Sequence, residues 1–162
     1  MSGVAYFQKI SFEQWGKDSE IDNIFLEEMK MPQRSTVLSA GYDFFAAYSF
    51  TIPSKDSYII PTGLRVKFVD PNFFLALYPR SGMGFKHRIS LSNTVGIIDA
   101  DYFYSDNEGH IMVKLYNPNY YDIKIEKGDA YCQGIFQMFG LTCDDSDYEK
   151  KIRNGGFGST SK

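Results

Sequence analysis

Cysteine is nearly absent from this 162-residue sequence, which holds two, Cys132 and Cys143. No CxxC spacing and no Cys/His ligand pattern occurs, which argues against a structural zinc site. Two reduced thiols are the plain expectation for an intracellular protein. Long apolar runs are missing as well. None approaches the ~18 residues that a membrane-spanning helix needs, and "MSGVAYFQKI" lacks the charged-then-apolar order of a signal peptide. No membrane association is expected, and the cytoplasm is the expected location, that of a host cell if the gene belongs to a phage. A strong charge of either sign is also lacking. Lys and Arg number 17 against 20 Asp and Glu, for a formal charge of −3. Such a surface does not attract a polyanion, so no long nucleic acid is expected as partner. A small phosphorylated ligand stays open, because a local basic cluster or a metal ion offsets a mildly acidic surface.

Aromatic residues, by contrast, are abundant. Tyr and Phe number 12 and 14 in a chain that is 43% hydrophobic, a composition rich in strand formers and against disorder. Runs at 4–12, 58–69, 73–79, 88–93, 110–117, 121–129 and 130–139 read as strands, broken by Gly, Pro, Asn and Asp. That spacing predicts an all-β barrel, sandwich or jelly roll. One short helix is expected over 19–31, with Ile21, Ile24, Phe25 and Met29 on one face, Ser19 as cap and Pro32 beyond its end. The length suits one domain with a proper core. From Asp144 the sequence turns polar, so residues 1–143 are expected to form the β domain and 144–162 a surface arm or tail.

Five stretches carry chemistry. "AGYDFFAA" sets one carboxylate, Asp43, in an apolar run, where an Asp is ordinarily a turn or hydrogen-bond anchor. In "PRSGMGFKHRI", Arg80, Ser81 and Gly82 place a cation, a hydroxyl and an unobstructed N–H side by side, a set suited to phosphate oxygens. His87, between Lys86 and Arg88, has no carboxylate near it in sequence and reads as structural or surface. "NTVGIIDADY" leads apolar Val95, Ile97 and Ile98 into Asp99 and Asp101, then Tyr102, as one side of a hairpin with a polar tip. Asx-turn chemistry accounts for Asp101, Asp106 and Asn107 but less well for Asp99, a carboxylate suited to activating a water. Asn93 offers an amide to a base edge. "GDAYCQGIF" buries Gln133 in an apolar run, where it must find partners. "RNGGFGSTS" offers Arg153, backbone amides and hydroxyls for a terminal phosphate, and a lone Phe157 for stacking on a flat ring.

In this order the five stretches resemble the motifs of the trimeric dUTPases, from residue 40 to 161. The resemblance implies a distorted jelly roll of the β-clip type with one short helix and a flexible C-terminal arm. It implies a homotrimer with three sites shared between subunits, each closed by an arm, and Mg²⁺-dependent hydrolysis of dUTP to dUMP and pyrophosphate. Asp99 matches the carboxylate that activates the water attacking the α-phosphorus, and Asp43 a supporting acid. Tyr102 matches the ring that packs on deoxyribose and leaves no room for a 2′-OH. Asn93, Ile97 and Ile98 belong to the hairpin that reads uracil, with Met112 on the strand after it. Arg80, Ser81, Gly82 and Gln133 match phosphate contacts. From the arm, Arg153, Gly158, Ser159 and Thr160 match terminal-phosphate contacts and Phe157 the ring over uracil. The Mg²⁺ would be held mainly by the triphosphate, with Asp43 reaching it at most through water.

The chain departs from the family pattern in four places. "DYFYSDNEGH" has several extra residues at the hairpin tip. Arg153 lies one residue nearer Phe157 than usual, and Ser161 stands where Gly is common. The 19–31 stretch looks like an insertion. Two other readings were weighed. A dCTP deaminase would need a Glu where Lys114 stands. A regulatory protein with this fold would bind another protein through the unusual segments, and such a partner is left open.

Overall fold

The computed structural model describes residues 3–21, 26–150 and 153. Its strands are β1 (Ala5–Lys9), β2 (Gln33–Arg34), β3 (Tyr42–Phe45), β4 (Phe50–Ile52), β5 (Ser57–Pro61), β6 (Leu64–Phe68), β7 (Phe73–Pro79), β8 (Ser90–Leu91), β9 (Gly96–Ile98), β10 (Met112–Tyr116), β11 (Ile123–Ile125) and β12 (Ala130–Met138). Two short helices, α1 (Phe12–Asp18) and α2 (Ser81–His87), interrupt them. The fold is thus mostly β, a jelly-roll-like β-clip without barrel closure, as expected. Every pairing is antiparallel. The largest sheet runs β2-β3-β12-β7-β9; β5-β10-β8, β4-β11 and β1-β6 form the others.

Side-chain periodicity explains the strands. In β10, Val113 and Leu115 point inward while Lys114 and Tyr116 face out, the alternation of a half-buried strand. In β7, Leu75, Ala76 and Leu77 are all buried, because this strand is paired on both edges and covered on both faces. Where β12 meets β3 and β7, Gly134 leaves no room for a side chain. A Cβ there would lie 2.8 Å from Leu75 Cδ1 and 3.0 Å from Phe44 Cε2. Aromatic rings tie the layers together. Phe7 of β1 lies 5.6 Å, centroid to centroid, from each of Tyr42, Phe44 and Phe136 on the large sheet. Of the cysteines, neither of which is in a disulfide, Cys132 is buried in β12 and Cys143 is exposed. Burial pushes the Cys132 thiol up to about 12.

The helices differ from the sequence-based expectation. The helix lies at 12–18, ahead of the predicted span. Ser11 caps it by accepting from the Gln14 N–H at 3.1 Å, and Trp15 anchors it in the core. Ser19 stands at its C-terminal end, donating its N–H to the Trp15 carbonyl at 2.9 Å, while its hydroxyl accepts from the Ile21 N–H at 3.1 Å. Further on, among the described residues, a 3-10 turn, Leu26–Glu28, forms, and Met29 is buried. Ile24 and Phe25 lie outside the described residues. The stretch after Arg80, read in sequence as a set of phosphate donors, forms α2, held in place by the buried Met83. The predicted strand over 58–69 is two strands, divided at Thr62–Gly63.

Candidate active site

Three adjacent strands of the large sheet gather the first group of predicted residues. In register, Gln133 of β12 lies opposite Asp43 of β3 and Tyr78 of β7. The Gln133 amide donates to the Pro79 carbonyl at 3.2 Å, which meets its need for a buried partner. Asp43 is 7% exposed, and both of its oxygens are engaged. Arg80 Nε lies 3.1 Å from Oδ1, and the Ser35 hydroxyl donates to Oδ2 at 2.5 Å. The lone carboxylate noticed in sequence therefore holds Arg80, whose guanidinium is still partly exposed. Ser81 and Gly82 open α2 and are exposed. Tyr78, Pro79, Arg80, Ser81, Gly84 and Phe85 line a groove of about 400 Å³. It presents a cation, a hydroxyl and free backbone amides together, the chemistry of a phosphate site.

The second group follows the edge strand β9. Ile98 is buried and Ile97 is 51% exposed. Asp99 comes next and leads into a 3-10 turn, Ala100–Tyr104. Its side chain is 47% exposed and accepts from Arg153 Nη2 at 2.8 Å. Arg153 Nε also lies 3.1 Å from Asp101 Oδ1, and the guanidinium carbon is 5.7 Å from the centre of the Tyr102 ring. The one described arm residue among those predicted for the site is thus placed against the candidate base and its neighbours. Phe157, Gly158, Ser159 and Thr160 lie outside the described residues. Tyr102 is 5% exposed, and burial raises its phenol above the ordinary value although the Asn107 hydrogen bond acts the other way. Asn93 and Met112 line a separate cavity of about 580 Å³. Asp99 lines another hollow with Phe74, Ile97 and Phe139. Among the described residues, no hydrogen bond or ion pair links the Arg80 group to the Asp99 group.

Sequence reasoning missed His110. Its ring is fully buried between elements far apart in sequence. Nε2 accepts the Gly63 N–H at 2.9 Å, so Nδ1 carries the proton and donates to Asp18 Oδ2 at 2.6 Å. Burial pulls this imidazole below its ordinary 6.5, outweighing the raising effect of Asp18. An unfolded chain takes up a proton near pH 6.5 that the folded chain declines, so stability is complete above that pH and falls as the solution is acidified. Melting curves should show Tm falling below about pH 6.5, by ~2–4 °C per kcal/mol lost. His110→Gln should lower Tm throughout and flatten that dependence; an unchanged slope would assign it to other groups.

The hairpin tip has its own fastening. Glu108 accepts from the Ser11 N–H at 2.9 Å and from its hydroxyl at 2.5 Å, and lies 3.9 Å from Arg65. Phe103 sits under the Arg65 guanidinium at 4.5 Å. Gly109, at φ 71°, allows the tip to close, since a Cβ would meet the Tyr102 carbonyl oxygen at 2.8 Å.

Comparison with known proteins points to one family. The dUTPase family model matches residues 27–161. The chain is 40% identical over 133 residues to the deoxyuridine 5'-triphosphate nucleotidohydrolase of Lactococcus lactis, covering 82% of this chain and 88% of that protein. With the protein of the same description from Haemophilus influenzae it shares 38% identity over 152 residues, 90% of this chain and 93% of the other. Among solved structures, the dUTPase of Streptococcus mutans superposes with a TM-score of 0.66 at 31% identity, over 84% of this chain and 97% of that one.

Proposed function

This chain belongs to the dUTPase family, and from that premise we propose that it hydrolyses dUTP to dUMP and pyrophosphate, with Asp99 activating the water that attacks the α-phosphorus. The observation that carries the reading is the state of Asp99. It is an accessible carboxylate at a strand end, and its recorded side-chain partner is an arginine from the arm segment rather than a group of the core.

Arg80 would meet the phosphates, held at the right place by Asp43, while Ser81, Gly82 and Gln133 supply further donors. Asn93, Ile97, Ile98 and Met112 would receive the base, and Tyr102 would lie against the sugar. The water, deprotonated by Asp99 as it attacks, expels pyrophosphate; no covalent intermediate is needed. Arg153 would exchange Asp99 for the terminal phosphate as the arm, residues 144–162, closes with Phe157 over uracil, Gly158, Ser159 and Thr160 adding phosphate contacts.

The residues suit a Mg²⁺ carried by the substrate. Among the described residues no three His, Cys, Asp or Glu side chains converge on a cation position, and both Asp43 oxygens already have partners. Asp43 would reach the ion only through water. When bound, the ion offsets the triphosphate charge.

We further propose a homotrimer whose sites are shared between subunits. The phosphate groove and the Asp99 hollow are separate in one chain, and Phe85, Ile97, Met138 and Leu141 are exposed apolar side chains that an interface would cover. Among the described residues no helix is long and apolar enough to cross a membrane, in keeping with the cytoplasmic location proposed.

A pyrophosphate-release assay across dUTP, dTTP, dCTP and UTP, with and without Mg²⁺, tests the reading. Preference for dUTP and loss of turnover with chelator are expected. Ammonia release from dCTP would overturn it in favour of a deaminase.

A further inference from the structure

A cavity of about 580 Å³ brings together residues from distant parts of the chain. Asn93 and Met112 belong to the hairpin that matches the family pattern. Asp18 and Asn107 line the same cavity. Asp18 ends α1, ahead of residue 27 where the family match begins, and Asn107 sits in the extended tip. Asn107 holds Tyr102, and Asp18 holds His110, whose carbonyl Tyr102 bonds. The Asn107 side-chain amide donates to the Tyr102 hydroxyl at 2.9 Å, and that hydroxyl donates to the His110 carbonyl at 2.8 Å. His110 is fixed in turn by Asp18 on one ring nitrogen and the Gly63 N–H on the other. Asp18 also accepts from Gln14 at 2.7 Å, and Asn107 accepts from the Gly109 N–H at 3.2 Å. The far end of the Tyr102 ring is therefore tied at both its donor and its acceptor.

We infer that Asn107, with the Asp18–His110 pair behind it, is a positioning residue that keeps the Tyr102 ring from yielding and thereby sets the preference for deoxyribose over ribose nucleotides. The inference rests on the dUTP reading above. A wall excludes an extra hydroxyl only as firmly as the wall resists displacement. Without its two bonds, the ring could tilt away from a 2′-OH. With them, tilting leaves a buried phenol and a buried carbonyl unpaired. The Ser11–Glu108 bonds join α1 to the tip, so both move as one piece against the ring.

The test is the ratio of kcat/KM for UTP to that for dUTP, measured on the full chain with Mg²⁺. Asn107→Ala is expected to raise this ratio about tenfold, and Tyr102→Phe by a similar factor. The double variant should go no further than Tyr102→Phe alone, because that change already removes the bond to Asn107. Should Asn107→Ala melt below the assay temperature, Asn107→Leu keeps the approximate volume while removing the amide donor, and the same rise is expected. A folded variant with a ratio within about twofold of the parent, or effects that multiply in the double variant, would overturn the inference. A parent protein that ignores dUTP would instead sink the functional reading, and the inference with it. Equal losses on both substrates would reduce Asn107 to a purely structural residue.

Discussion

Asp99→Asn is expected to lower kcat for dUTP by about 10²–10⁴ while leaving dUTP binding intact. The amide has the shape of the carboxylate, and its oxygen can still accept from Arg153, which now lies 2.8 Å from Asp99 Oδ2. What it loses is the ability to take a proton from water. It also loses a negative charge facing a polyanion, so the Kd for dUTP should be unchanged or tighter. That split, lower kcat with an equal or smaller Kd, marks a group that acts only in the transition state. Single-turnover kinetics beside a calorimetric titration would measure both. A variant that keeps most of its turnover would place the base elsewhere. A variant that loses binding and turnover together would make Asp99 a binding residue.

Removing residues 153–162 is the second large effect expected. Turnover should fall at least about a hundredfold, because Arg153 and the segment that carries Phe157, Ser159 and Thr160 go together. Sedimentation velocity should show the same trimer before and after. The core strands that would form the interface are untouched, and Arg153 contacts Asp99 and Asp101 rather than the apolar core. Dissociation to monomers would show that the arm holds the assembly together instead of closing its sites. Full activity without the arm would remove Arg153 from the reaction.

Much of the fold was legible because strands announce themselves locally. β10 and β7 could be read from alternation and from a continuous apolar run, and the turns between strands from Gly, Pro, Asn and Asp. Helix α1 was not legible, since seven residues show too little of a 3.6-residue period and its buried side chains are only Gln14 and Trp15. The apolar residues after Ser19 gave a better pattern, yet the local cap that formed was Ser11. At the site, residue types singled out Arg80 and Asp99, whose side chains the structure leaves partly exposed, but did not reveal their partners. Asp43 looked like a lone acid because its cation stands 37 positions on, at Arg80, just past β7, which lies across β12 from β3 in the sheet. His110 and Asp18 are 92 residues apart, and no periodicity links them. Pairs of that kind are made by topology, and only the assembled strands reveal them.

The unequal cysteines have a practical use. Cys132 is sealed inside β12 with its thiol held in the protonated form, whereas Cys143 lies open at the root of the arm. A maleimide dye at neutral pH should therefore attach at one position per chain without any engineering. That position adjoins the segment whose closure the catalytic cycle would require, so the native protein carries its own handle for an optical reporter. A change in emission or anisotropy on adding a non-hydrolysable dUTP analogue would time the arm's closing directly, subunit by subunit.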